Sequence, residues 1–497
     1  MIKNIKWLCL VALTIIACNK KDDDVVNYGS SDGKPLTFGT ADFSKYVALG
    51  NSLSAGFSDN ALFIEGQKTA WTSILAQQFK TVGGGEFKIP FMADNVGGFS
   101  GSTTFTPRLY LVPPAGPGLN PTISSVALPP YRQVATTNAA IVLTGGFNNM
   151  GVPGAKSFHL GAPGYGQLNP YFGRFASSPT ASVIGDAVAQ NATFFSLWIG
   201  NNDVLGYASS GGTGTNQLTN TNPTTYGQND ITNTNVFAAT YNALLSDQTG
   251  LRKNGAKGVV ANIPYVTSIP LFTTVPFNAL PLNATQVAQL TAGYNQYNLV
   301  LQQAVIGNLM TQAEANSRTI TFTVGQNAVV IIDEYLATDL TVLNPALIKM
   351  RQATASDLIL LSSQGTSVQA HLAGGNGSQF PLQDRWVLSK GEIAELKTAT
   401  DAFNMTIKTL ASQYGLAFVD ANALLNQVAT TGVTANGYTV KSNYITGGGF
   451  SLDGVHPSPR GYALIANEFI KEINKTYGSN MSPVSLANYR ILFGATL

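Results

Sequence analysis

The 497 residues carry 28 Lys and Arg against 26 Asp and Glu, for a net charge of +2, and charged residues make up only 11% of the chain. That balance supplies no basic field to hold a nucleic-acid backbone, so nucleic acid is excluded as an expected partner. Three histidines without ligand spacing and two cysteines leave no pattern for a metal site or a disulfide framework, and no cofactor is expected.

Lys3 and Lys6 precede an apolar run over 7–17, the pattern of a secretory signal too short to span a bilayer as a mature helix. Ile15-Ile16-Ala17-Cys18 resembles the bacterial lipobox. The resemblance implies lipidation at Cys18, release of residues 1–17 and membrane attachment as an outer-membrane lipoprotein, exposed at the cell surface or on the periplasmic face. Lys20-Lys21-Asp22-Asp23-Asp24 is either a solvated charge run or similar to the acidic export signal of Bacteroidetes surface lipoproteins. Residues 18–40 lack hydrophobic periodicity and are expected to form a flexible tether.

From residue 41 to 497 a single domain is expected. Short apolar runs at 46–49, 141–144, 194–199, 258–262 and 416–419 lack strict alternation, as parallel strands covered on both faces do. Ser389-Lys390-Gly391-Glu392 is a capping-box pattern opening a helix with apolar positions Ile393, Leu396, Phe403, Ile407 and Leu410. A weaker echo starts at Asn283, with Asn298 placed as Asn404 is in the later helix. The stretches 97–130, 206–235 and 362–383 are rich in Gly, Pro, Ser, Thr and Asn and read as long loops. Residues 300–385 read as an insertion.

Four motifs carry chemistry. Gly50-Asn51-Ser52-Leu53-Ser54 follows the first strand, placing the Ser52 hydroxyl where a strand turns into a helix. Asn149-Met150-Gly151-Val152-Pro153-Gly154-Ala155 stands next, and Gly200-Asn201-Asn202-Asp203 closes the apolar run ending at Ile199. Asp453-Gly454-Val455-His456-Pro457 supplies a carboxylate and an imidazole three residues apart. A serine needs a base to take its proton and a third group to orient that base. Motifs four hundred residues apart must then meet in one site, which argues against separate domains.

Together these blocks resemble the SGNH (GDSL-type) hydrolases, with Asn51 standing where that family has aspartate. The resemblance covers roughly residues 44 to 475 and implies an α/β fold: three layers, flavodoxin-like, with a mostly parallel central sheet, helices on both faces and long insertions. It also implies a serine ester hydrolase, carboxylesterase- or lipase-like. Ser52 is the nucleophile, His456 the base and Asp453 its orienting acid. The oxyanion hole comes from the Ser52 and Gly154 backbone amides and the Asn202 side chain, Gly154 allowing close approach by lacking a side chain, and Asp203 holds the turn. The substrate is a small-molecule, lipid or acylated-glycan ester. A carbohydrate O-acetyl esterase and a non-catalytic glycan- or lipid-binding lipoprotein remain the alternatives.

Overall fold

The computed structural model describes residues 29–114, 122–363 and 366–497, so the expected signal and Cys18 lie outside the described residues. Five strands, β1 (Tyr46–Gly50), β2 (Asn149–Gly151), β3 (Phe194–Trp198), β4 (Lys257–Ala261) and β5 (Ala417–Val419), build the central sheet. Every neighbouring pair is parallel, in the order β2-β1-β3-β4-β5. This doubly wound order reverses direction between β1 and β3, and open α/β sheets gather ligands beyond the carboxyl ends of strands at that point.

Helices α1 (Ser52–Ala55), α2 (Trp71–Lys80), α3 (Asn202–Ser209), α4 (Thr234–Leu245), α5 (Ala284–Ile306), α6 (Lys390–Gln413), α7 (Ala421–Ala429) and α8 (Pro459–Tyr477) supply the remaining framework. Strand alternation divides the core into two layers. Val47, Leu49, Phe195 and Leu197 pack against α4 and α6 on one face. Tyr46, Ala48, Phe194 and Trp198 pack against α2 and α8 on the other. A three-layer α/β arrangement is the only way such a sheet hides both faces from water.

Residues 141–144 form no strand. Ile141 and Val142 are 58% and 56% exposed, and the edge strand is the unpromising Asn-Met-Gly of β2. Asn149 is tolerated there because its amide is used: Nδ2 donates to the Ser54 carbonyl at 2.9 Å and to Thr72 Oγ1 at 3.2 Å.

The insertion begins earlier than expected. A separate apolar core gathers residues from Val275 to Val387, taking in α5, and fills the crossover between β4 and β5. Arg351 ties it internally, at 2.6 Å to Asp333 and 2.7 Å to Asp357. The resemblance between α5 and α6 extends to their asparagines. Asn298 clamps the Ile320 backbone with bonds of 2.8 and 3.0 Å, as Asn404 clamps Ile263 with bonds of 2.8 and 2.7 Å.

The expected loops are structured where described. Leu109–Val112 pairs with Thr122–Ser125, Asp230 accepts hydrogen bonds from Thr215 and Gly227 N–H, and Val368–Ala373 is a helix. Residues 29–40, assigned to the tether, are fastened to the end of α8 instead. Ser30 bridges to Met481, and Asn480 accepts from Thr37 N–H at 2.8 Å while donating to Asp32 at 2.9 Å. Among the described residues no helix is long and apolar enough to cross a membrane.

Candidate active site

The carboxyl ends of β1 and β3 hold two of the motifs side by side. β1 runs directly into α1, whose first residue is Ser52, 8% exposed. The turn is tight because the flanking glycines have no side chains. A Cβ on Gly50 would stand 2.3 Å from Ser54 Oγ, and one on Gly151 would stand 2.4 Å from the Ala55 nitrogen. Asn51 caps the helix by accepting from Leu53 N–H at 3.0 Å, and its Nδ2 donates to Asn201 Oδ1 at 3.2 Å. That second bond uses a hydrogen that an aspartate at this position would lack.

The loop carrying Asp453 and His456 enters just before α8. Asp453 Oδ1 accepts from the Val455 and His456 backbone N–H, both at 2.8 Å, which curls the loop so that residue i meets the ring at i+3. Gly454 sits at φ 70°, a left-handed position that favours glycine. His456 Nδ1 then lies 2.8 Å from Asp453 Oδ2, and Nε2 lies 2.9 Å from Ser52 Oγ. The carboxylate holds the ring proton on Nδ1, leaving Nε2 free to accept from the serine. Burial alone would raise the Asp453 carboxyl, but the facing His456 and the donated hydrogen bonds outweigh it and hold it at about 2.

Sequence reasoning missed the turn that braces this loop. Ser58 Oγ donates to the Pro457 carbonyl at 3.0 Å, and Asn60 N–H donates to Asp453 Oδ2 at 2.9 Å. Asp59 accepts from Leu452 N–H at 2.9 Å, and its own N–H donates to Ser451 Oγ. Burial pushes the Asp59 carboxyl up to about 7 against that bond from Leu452. The available signal was the polar run Ser58-Asp59-Asn60 directly behind the serine block. The Phe57 ring adds a contact, its centroid 4.7 Å from that of His456.

Opposite the serine, Asn202 Nδ2 donates one hydrogen to the Ala155 carbonyl at 2.9 Å, which leaves its second hydrogen for the cleft. Neither the Ser52 nor the Gly154 backbone N–H has a hydrogen-bond partner among the described residues. Gly154 has φ 79°, and nothing lies within 4 Å of where its Cβ would stand, so backbone conformation rather than crowding selects glycine. Ser52, Asn202 and His456 line one cleft, and Gly154 stays outside that lining, next to the Ala155 that holds Asn202. Asp203 is fully buried and accepts from Ser157 N–H and Oγ at 2.8 and 2.6 Å, binding the loop after β2 to α3.

Among the described residues, Glu334, Asp384 and Glu392 bring oxygens within 4.8 Å of one another, hard donors of the kind that suit Ca²⁺ or Mg²⁺. None of them lines the cleft of Ser52. Burial, reinforced by Glu334, pushes Asp384 up to about 7 and raises Glu392 too. His159 and His371 serve packing: the first stacks on Tyr165 and the second lies against Trp386. No family description, curated protein or solved structure matches this chain.

Proposed function

We propose that this protein is a serine ester hydrolase of the SGNH type, carboxylesterase- or lipase-like. The observation that carries the reading is the continuous chain from Ser52 Oγ through His456, 2.9 Å on one side, to Asp453, 2.8 Å on the other. Ser52 Oγ attacks the ester carbonyl carbon as His456 Nε2 takes its proton. The oxygen that becomes negative is met by the Ser52 N–H and the free hydrogen of Asn202, with the Gly154 N–H as the third donor that the family resemblance implies. Collapse of the tetrahedral intermediate expels the alcohol, which leaves with the proton from His456. Water then repeats the sequence on the acyl-enzyme and releases the acid. The test is a small fluorophosphonate: it should label wild-type protein at Ser52, and an unlabelled, folded wild type would overturn the reading.

Asn202→Ala is expected to lower kcat by about 10²- to 10³-fold with KM little changed, because an oxyanion donor acts mainly on charge developing in the transition state. Steady-state kinetics on an activated ester reads this. A change confined to KM would show that Asn202 binds the ground state.

Lipidation at Cys18 belongs to the same proposal, supported by the lipobox-like Ile15-Ile16-Ala17-Cys18. The protein would then be an outer-membrane lipoprotein. Cys18→Ala should move it out of the membrane fraction. Retention there after a salt wash would count against the anchor.

A further inference from the structure

Behind the catalytic side chains the cleft continues inward, between α7, α8 and the end of β5. The cavity volume is about 110 Å³, somewhat below the roughly 150 Å³ apolar cavity that holds one benzene. Exposure differs from one part of its lining to another. Leu53, Leu205, Leu425 and Val455 around the mouth are half-buried. Deeper in, Trp198 and Val419 are 2% exposed, Val440 1% and Phe469 0%.

The chemistry of the wall differs too. Its polar side chains are Asn51, Ser52, Asn201, Asn202 and His456, all belonging to the catalytic motifs. Beyond them the wall is aliphatic and aromatic, and the one polar atom, Trp198 Nε1, already donates to the Asn262 carbonyl at 3.0 Å. An acetyl group would leave most of this apolar space unfilled. An alkyl chain would lose nothing and would leave water behind.

We infer that this cavity is the acyl site and that the substrates are esters of short- and medium-chain alkanoic acids rather than acetyl esters of polysaccharide. The inference rests on the hydrolase reading above and specifies the acid half of its substrate. The ester carbonyl stands at Ser52, the alkyl chain passes between α7 and α8 over Val428 and Leu464, and the alcohol stays on the solvent side. Attack by Ser52 transfers the acyl group to its oxygen with the chain already seated. The acyl-enzyme is therefore held in the cavity until water releases the acid.

Chain length is the readout. On p-nitrophenyl esters from acetyl to hexadecanoyl, kcat/KM is expected to rise about fourfold per added methylene until the cavity is filled, the factor that burial of one CH₂ provides. Val428→Phe, which places a ring in the empty space, should lower the hexanoyl-to-acetyl ratio of kcat/KM by tenfold or more. If that variant does not fold, the wild type alone decides the matter: a hexyl fluorophosphonate should label Ser52 at least tenfold faster than an ethyl one. A Ser52 that reacts with the ethyl probe while kcat/KM falls from acetyl onward overturns this inference alone. A Ser52 inert to both probes overturns the hydrolase reading and this inference with it. A ratio unchanged in a folded Val428→Phe places the chain elsewhere and also overturns it.

Discussion

Ser52→Ala and His456→Ala should each reduce kcat on an activated ester by about 10⁶-fold, with little change in melting temperature. The reason is the single hydrogen bond of 2.9 Å between the two side chains. Alanine at 52 removes the only atom placed to attack the carbonyl. Alanine at 456 leaves that atom with its proton and no acceptor, and at neutral pH a serine hydroxyl is then too weak a nucleophile. Because both changes disable the same step, the double variant should be no worse than either single one. Stopped assays with purified, folded protein measure this, and activity within tenfold of wild type in either variant would remove the assignment.

Asp453→Asn is expected to lower kcat at neutral pH by about 10⁴-fold, the scale of effect when an amide fixes the wrong imidazole tautomer. Oδ1 serves the Ser451 hydroxyl and two backbone N–H groups and survives the substitution as an amide oxygen. Oδ2 does not. It accepts from Asn60 N–H at 2.9 Å and from His456 Nδ1 at 2.8 Å, and an NH₂ there opposes one donor with another. The ring must then accept at Nδ1 and carry its proton on Nε2, facing Ser52, where a base is needed. Stability follows the carboxyl's own titration. With the folded value held at about 2, below the ordinary 3.8, the contribution of Asp453 is fully present above about pH 4 and is lost as pH falls through 2. The melting-temperature difference between wild type and variant should therefore be flat from pH 5 to 8 and shrink in stronger acid. A kcat within tenfold of wild type at pH 7 would show that the ring keeps its orientation without this carboxylate.

What could be read from the chain depended on whether side chains carried the signal. β1, β3, β4 and β5 are apolar runs because both faces of the sheet are covered, and they stood out. β2 did not, since its first residue is a buried asparagine made tolerable by Ser54 and Thr72, two residues distant in sequence. Ile141 and Val142 misled for the opposite reason: they are apolar and lie at the surface. The Ser52, Asn202, Asp453 and His456 positions stood out because each offers a functional group that few residue types possess. Asn60 did not, because it acts through its backbone N–H, which every residue but proline has. The start of the insertion was misplaced because Asn283 caps α5 with Gln286 much as Ser389 and Glu392 open α6, so scaffold and insertion helices begin alike.

The hydrogen bonds of residues 29–40 hold that segment at the far end of α8. That helix starts at Pro459, three residues beyond His456, and ends at Tyr477, whose hydroxyl bonds the Gly258 backbone near the amino end of β4. Nineteen helical residues at 1.5 Å each put about 28 Å between the catalytic loop and the point where the described chain begins. The described chain therefore begins at the pole opposite the mouth of the cleft.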